Sequence, residues 1–431
     1  MDRLLKILTG LAAIALLIIP DMTQAYDFNE RNCGWPIALS PVGPGNLQGP
    51  DSASRYWIMP LDMTKYQAMT IHGTYPEVRY FSIVAYDVTV NNVFSIAGHL
   101  FDAQIAPDKG SANPFVSNGT GTYTVVVSRT PPPSGNFVQA NSNLVWVALR
   151  LYVADADPSL GGKSLMGKVP LPTVTLTDSN GYSQVLPACS PVNKWSDVSA
   201  YAQYIFPPQS VLIGDEGTPN GDRLWFASPA QPPQILWPNP DASYVLMMPG
   251  KEYQAGRLMV IRGKAPGFPD TFNGSAIWQP ARGFRSVDVR YWAVCNMDLA
   301  PPIPVVECAT DLDLRLQGQY YTIVVSDDRQ RPDWLRPNIN WLPWGDEQYQ
   351  KLFAVRHILP SPDFAYDVQD ARRQSNCLFE FDFPSLPPRS VIDNAGPFCE
   401  AAMGEYYPVA LWCDKATFVA GGFDACLRDA D

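Results

Sequence analysis

The 431 residues are 46% hydrophobic and 12% aromatic, which is enough apolar material for two or three cored domains and excludes a disordered polymer. A formal charge of −11 excludes a basic footprint for nucleic acid or an anionic lipid surface, because phosphates are repelled over most of such a protein. The 42 prolines and 30 glycines, set between short runs of Val, Ile, Thr, Tyr and Phe, exclude long helices as the main element and give the texture of many short strands joined by turns.

At the N-terminus, Arg3 and Lys6 precede the apolar run Ile7 to Ile19, followed by Pro20 and the small-residue end Thr23-Gln24-Ala25. This is the pattern of a signal peptide occupying residues 1–25 and cut after Ala25, and the run is shorter than the roughly 20 residues a bilayer span needs. The expected location is secreted or periplasmic, with no integral membrane span after cleavage.

From there the chain says nearly the same thing twice. Tyr56-Trp57-Ile58-Met59-Pro60 returns as Tyr244-Val245-Leu246-Met247-Met248-Pro249, and Met69-Thr70-Ile71-His72-Gly73 as Met259-Val260-Ile261-Arg262-Gly263. Val78-Arg79-Tyr80-Phe81 returns as Val289-Arg290-Tyr291-Trp292, Tyr123 to Ser128 as Tyr321 to Ser326, and Ala148-Leu149-Arg150 as Ala354-Val355-Arg356. The five matches keep their order at offsets between 188 and 211. Runs such as Glu77 to Asp87 and Leu144 to Ala154 are almost continuously apolar, which suits strands covered on both faces.

The expected architecture is therefore all-β: two tandem, internally duplicated, jelly-roll-like β-sandwich domains at residues 26–190 and 241–364. Residues 191–240 read as a Pro-rich linker with a short helix at Ser196 to Tyr204, and residues 365–431 as a cysteine-rich tail packed on the second domain. That tail has no counterpart in the first copy and carries a short helix at Cys399 to Met403; the insertion Gly267 to Arg285 also belongs to the second copy alone.

All eight cysteines lie beyond the signal segment, and an even number in an exported chain favours disulfides. Eight cysteines allow 105 pairings. Cys295 with Cys308 closes a short Pro-rich excursion, Cys33 with Cys189 would clasp the ends of the first copy, and Cys377, Cys399, Cys413 and Cys426 tie down the tail in an order the spacing leaves open. With no C-x-x-C knuckle and three histidines, a zinc centre is not expected.

Duplication separates framework from candidate. Glu77 matches Asp288, Arg79 matches Arg290, Asp87 matches Asp298 and Arg150 matches Arg356, so these charges read as structural ion pairs in or beside apolar strands. His72, His99 and His357 have no such matches and form no catalytic set. There is no G-x-S-x-G elbow, H-E-x-x-H pair or phosphate loop. The acid pairs Asp215-Glu216, Asp327-Asp328 and Asp346-Glu347 would serve a glycosidase only if folding set two of them face to face. Asp155-Ala156-Asp157 and Asp311-Leu312-Asp313 lack calcium-loop spacing. Trp334, Trp341 and Trp344, with Arg329 and Arg331 beside them, are the ligand-binding candidates, since indoles on loops stack on sugar rings; their alternative role is to plug the sandwich.

The strings Glu77-Val78-Arg79-Tyr80-Phe81-Ser82, Gly121-Thr122-Tyr123-Thr124-Val125 and Leu149-Arg150-Leu151-Tyr152 resemble secreted bacterial β-modules classed as domains of unknown function, and Val289 to Trp292 through Trp341 to Asp346 are similar to the same pattern. The resemblance implies an exported β-sandwich with no characterised activity. The expected function is a non-enzymatic binding or envelope-associated structural module, with no cofactor, a glycan or envelope component as partner, and a ligand groove between the two halves. The alternative is a carbohydrate-active hydrolase working through a carboxylate pair in an aromatic-lined cleft.

Overall fold

A computed structural model describes residues 32–88, 94–154, 166–190, 192–194, 198, 221–230, 237–250, 253–300, 302–373, 375–380 and 387–430. The signal segment, the acids at 155, 157, 215 and 216, and the expected helix at 196–204 apart from Val198 lie outside these residues.

The first sandwich contains β1 (Ile37–Leu39), β2 (Ser54–Asp62), β3 (Tyr66–Thr74), β4 (Val78–Val88), β5 (Phe94–Phe101), β6 (Thr122–Ser128), β7 (Asn136–Gln139), β8 (Leu144–Ala154), β9 (Thr173–Asp178) and β10 (Ser183–Leu186). One sheet runs β1-β2-β8-β4-β5 and the other β10-β9-β3-β6-β7. Their inner faces share one core, in which Met59, Phe81 and Val147 of one sheet meet Ile71, Val125 and Val174 of the other. All eleven positions of β4 are buried, which is why its sequence shows no alternation: a second apolar surface covers the far face.

The second sandwich follows with β11 (Arg223–Leu224), β12 (Ser228–Pro229), β13 (Ala242–Met247), β14 (Arg257–Lys264), β15 (Val289–Asp298), β16 (Val305–Thr310), β17 (Leu316–Gln317), β18 (Tyr320–Ser326), β19 (Asn340–Pro343), β20 (Lys351–Pro360), β21 (Leu378–Phe379) and β22 (Val409–Asp414). One sheet runs β13-β20-β15-β16, and the other passes through β22-β14-β18, with β19 beside β18. Strand for strand this repeats β2-β8-β4-β5 and β9-β3-β6-β7, down to the parallel pairing of the last strand in each series. Register agrees as well: Ile71 faces Val125 as Ile261 faces Ile323, and Tyr56 faces Arg150 as Tyr244 faces Arg356. Tyr80 and Tyr291 sit at equivalent places in β4 and β15.

Three expectations need correction. The tail does have a counterpart in the first copy, because β22 pairs with β14 as β9 pairs with β3, and the second sandwich is incomplete without it. The tail also carries α1 (Val368–Arg373), α2 (Arg389–Met403) and α3 (Lys415–Ala430, kinked at Gly422), so the short helix expected at Cys399 is the end of a fifteen-residue one. Gly396 and Pro397 read as breakers, yet Ile392, Ala395, Cys399 and Met403 bury one face and outweigh them. The described part of 191–240 is not a free linker: β11 pairs with β22, β12 with β21, and Trp237 is buried against Tyr86, Phe94 and Trp146 on the outer face of β4 and β8.

The disulfides are Cys33–Cys189, Cys295–Cys308, Cys377–Cys399 and Cys413–Cys426. The first joins the two ends of its sandwich beside the backbone bonds Gly34 N–H to Pro187 O and Cys189 N–H to Gly34 O. The last staples α3 to β22.

Candidate functional site

The largest assembly of buried charge lies where β4 and β8 of the first sandwich meet β15 and β20 of the second, and it is built by reciprocal exchange. Arg79 of β4 donates through Nη1 to Asp311, which follows β16; its counterpart Arg290 of β15 donates through Nη1 to Asp102 Oδ1, which follows β5, at 3.1 Å. Asp311 and Asp102 are fully buried, and each also accepts a strand amide, Trp292 N–H at 3.2 Å and Phe81 N–H at 3.1 Å, at matching positions. Each sandwich thus places its arginine on the other's aspartate, the geometry of a pseudo-two-fold axis. Burial pushes Asp311 up to about 6, with Arg79 opposing the shift; Asp102 moves upward for the same cause, opposed by Arg290.

A second exchange surrounds it. Tyr291 OH donates to Asp51 Oδ1 at 2.6 Å, and Arg356 Nη1 donates to Asp51 Oδ2 at 2.5 Å. In the mirrored position Tyr80 OH donates to Asn239 Oδ1 at 3.1 Å and to Asp241 Oδ2 at 2.8 Å, while Arg150 donates to Tyr86 OH and to Trp237 O. Asp51 and Asn239 are equivalent, since each caps the amide two residues on. Arg150 therefore rests on a phenol oxygen and a backbone carbonyl where Arg356 meets a carboxylate, and the Tyr56 and Tyr86 rings lie against its guanidinium. The insertion Gly267 to Arg285 acts as a strap here: Thr271 accepts from Arg79 Nε and Phe268 stacks on the same side chain.

The junction's carboxylates Asp311, Asp102 and Asp51 are enclosed and paired with arginines of the opposite sandwich.

The sequence candidates distribute as follows. Arg79 and Arg356 are buried and Arg290 half-buried in ion pairs, and their partners are Asp311 for Arg79, Asp102 for Arg290 and Asp51 for Arg356. Glu77 pairs instead with Lys168 on the surface, Asp288 accepts the Gly267 amide, Asp87 accepts the amides of Asn141 and Ser142, and Asp298 pairs with Lys351. Reasoning from the sequence missed Asp102; the signal was present, since Asp102 and Asp311 stand 209 positions apart, inside the repeat's own offsets. Trp344 is wholly buried against Tyr253 and Trp412, Trp341 donates to Ser326 Oγ at 2.9 Å, and Lys415 Nζ lies 4.4 Å from the Trp334 ring centre. Trp344 belongs to the core of the second sandwich, whereas Trp334 and Trp341 are half-buried against the outer cluster that α3 covers. Arg329 is exposed, and Arg331 donates to the Arg336 carbonyl. Asp328 accepts the Ser326 hydroxyl and Asp346 accepts the Gln348 amide, each folded back on its own turn. Asp311 is paired with Arg79.

The histidines are dispersed. His72 lies 3.5 Å from Asp108, His99 lies 3.3 Å from Asp241, and His357 is enclosed in β20, its Nδ1 without a partner. The first sandwich has Leu151 at the place of His357. Burial pushes His357 down to about 4 from an ordinary value near 6.5. Its neutral form is the folded form, so the unfolded chain takes up the proton first: the stabilising contribution is present above pH 6.5 and is lost as pH falls towards 4. Relative to wild type, His357→Leu should therefore gain about 3 kcal/mol between pH 7 and pH 4, read from urea midpoints at each pH. A difference that stays flat across that interval contradicts the assignment.

No family model matches the chain, and no curated protein sequence matches it. Among solved structures it is similar to an uncharacterised protein from Burkholderia cenocepacia, at 14% identity and TM-score 0.46, over 76% of this chain and 79% of that one. It is also similar to a protein from Vibrio parahaemolyticus, at 13% identity and TM-score 0.36, over 72% of this chain and 86% of that one.

Proposed function

We propose that the chain is an exported, non-enzymatic tandem of two duplicated β-sandwiches, serving as a binding or envelope-associated structural module. The observation that carries this reading is where the acids go. Asp51, Asp102 and Asp311 are committed to reciprocal arginine pairs across the junction, and Asp328 and Asp346 to their own turns. A glycosidase needs two free carboxyls at a set separation. Four disulfides among the described residues support an oxidising compartment. No described helix is long and apolar enough to cross a membrane. In this reading the second unit runs from β11 through β22 and the tail is part of it.

The test is incubation of the oxidised protein, from Tyr26 onwards, with a panel of soluble and insoluble glycans, followed by reducing-end analysis. The expected result is no product above a heat-denatured control. Product release that disappears on substituting one acid overturns the proposal in favour of a hydrolase.

A further inference from the structure

The outer faces of the two equivalent sheets differ in a way the fold does not require. In the second sandwich Leu258, Val260, Leu411 and Cys413 turn outward and are covered by Phe418 and Phe423 of α3. In the first, the equivalent positions are Ala68, Thr70, Thr175 and Thr177, and no described helix lies over them.

Register across the first sheet lines up one continuous row from the edge: Val185 beside Thr175, Thr175 beside Thr70, Thr70 beside Val126, and Val126 beside the half-buried Phe137. At four strand spacings the row is about 19 Å long. Methyl and aromatic carbon runs along its centre, and hydroxyls flank it, from Thr177 and Ser183 on one side and Thr173 and Thr124 on the other. In a chain with 42 acids and 31 lysines and arginines, the outward positions of β3, β6, β9 and β10 carry none of these; His72 is their one titratable group, and the Asp108 carboxylate, from the loop before β6, lies 3.5 Å from it at the flank of the row. Solvation alone would favour charged side chains on such an open face.

The row borders a surface cleft of about 440 Å³ beside Tyr66, Ala68, Val126 and Ser128. No carboxylate lines this cleft. Its two cations are engaged locally, Arg129 by the carbonyls of Met63, Asn141 and Ser142 and Lys65 by Asp62 at 3.7 Å.

We propose that this face, whose central row of carbon and hydroxyl carries no charged side chain, is with its cleft a docking surface for a neutral polysaccharide chain. A pyranose has apolar C–H faces and hydroxyl edges, which complement a carbon stripe flanked by hydroxyls; an anionic chain would meet neither a free cation nor an arginine fork. The inference rests on the binding-module reading above and names its ligand class.

The test is co-sedimentation of the oxidised protein with microcrystalline cellulose, chitin and insoluble β-glucan, with cross-linked pectin as the anionic arm. The expected result is retention on at least one neutral polymer, lowered at least tenfold by Thr70→Lys or Thr175→Lys with melting temperature unchanged. Val185→Lys, on the exposed edge strand, serves where the central variants do not fold, and Thr70→Val, copying the second sandwich, should weaken binding by a smaller factor. Retention on no neutral polymer, or preference for pectin, overturns the proposal. Retention indifferent to all these variants overturns the face while leaving a binding module standing, whereas cleavage of the polymer overturns the module reading and this inference with it.

Discussion

Asp311→Ala should destabilise the protein by about 3–5 kcal/mol, the cost of leaving a guanidinium buried without its counter-charge. Arg79 is fully enclosed, and without Asp311 it keeps only the 3.3 Å bond from Nε to Thr271 and the Phe268 ring. Asp102→Ala should cost less, because Arg290 is partly exposed and also donates to the Arg79 carbonyl at 3.1 Å. Glu77→Ala is the control: its pair with Lys168 lies at the surface, where such pairs contribute about 0–1 kcal/mol. The large loss should belong to breaking the pair and not to lacking it, so that Arg79→Met with Asp311→Leu together should come close to wild type. Equilibrium urea unfolding checks all four, and equal losses for Asp311→Ala and Glu77→Ala would show that the junction is not under this electrostatic constraint. The carboxyl of Asp311, raised to about 6, adds stability below pH 4 that fades as pH rises through 6, opposite in sense to His357. For that reason the histidine is read as a difference between variant and wild type.

Removing the Cys33–Cys189 bridge with a double alanine substitution should cost about 5 kcal/mol, and removing Cys413–Cys426 about 3 kcal/mol. The difference comes from the chain each bridge closes, 156 residues against 13, through the logarithm of loop length in the unfolded state. Differential scanning calorimetry of the two variants and the oxidised parent reads both. The shorter bridge has a second effect, since it holds α3 over Leu258, Val260 and Leu411. Its loss should expose that apolar face and raise binding of a hydrophobic dye before global unfolding, which the longer bridge's loss should not do. Equal destabilisation by the two variants would mean that native contacts, and not chain entropy, set the cost.

Much of the fold was legible because a strand's inward residues are dictated by the core. Val78-Arg79-Tyr80-Phe81 and Val289-Arg290-Tyr291-Trp292 repeat because both occupy a central strand covered on two faces, where few side chains fit. The tail was misread because β22, Val409 to Asp414, shares a place with β9 but almost no residues: Leu411 stands under a helix where Thr175 has no described helix over it. The outward half of a strand is set by what covers it. The places of Trp334, Trp341 and Trp344 were not legible for the same reason, since a Pro-rich run does not specify whether its side chains turn out to solvent or in to a core.

What the amino-acid order by itself determined is the all-β class, the repeat and the set of arginines held in both copies, because periodicity and burial are local consequences of side-chain chemistry. What only the tertiary structure decided is partnership: that Arg79 answers to Asp311 and Arg290 to Asp102, each across the boundary between sandwiches, and that one outer face is capped by α3 while no described helix covers its twin. A charge on a strand states that it needs a counter-charge; which one lies within 4 Å is settled by how two sheets dock, and docking depends on surfaces hundreds of residues apart in the chain.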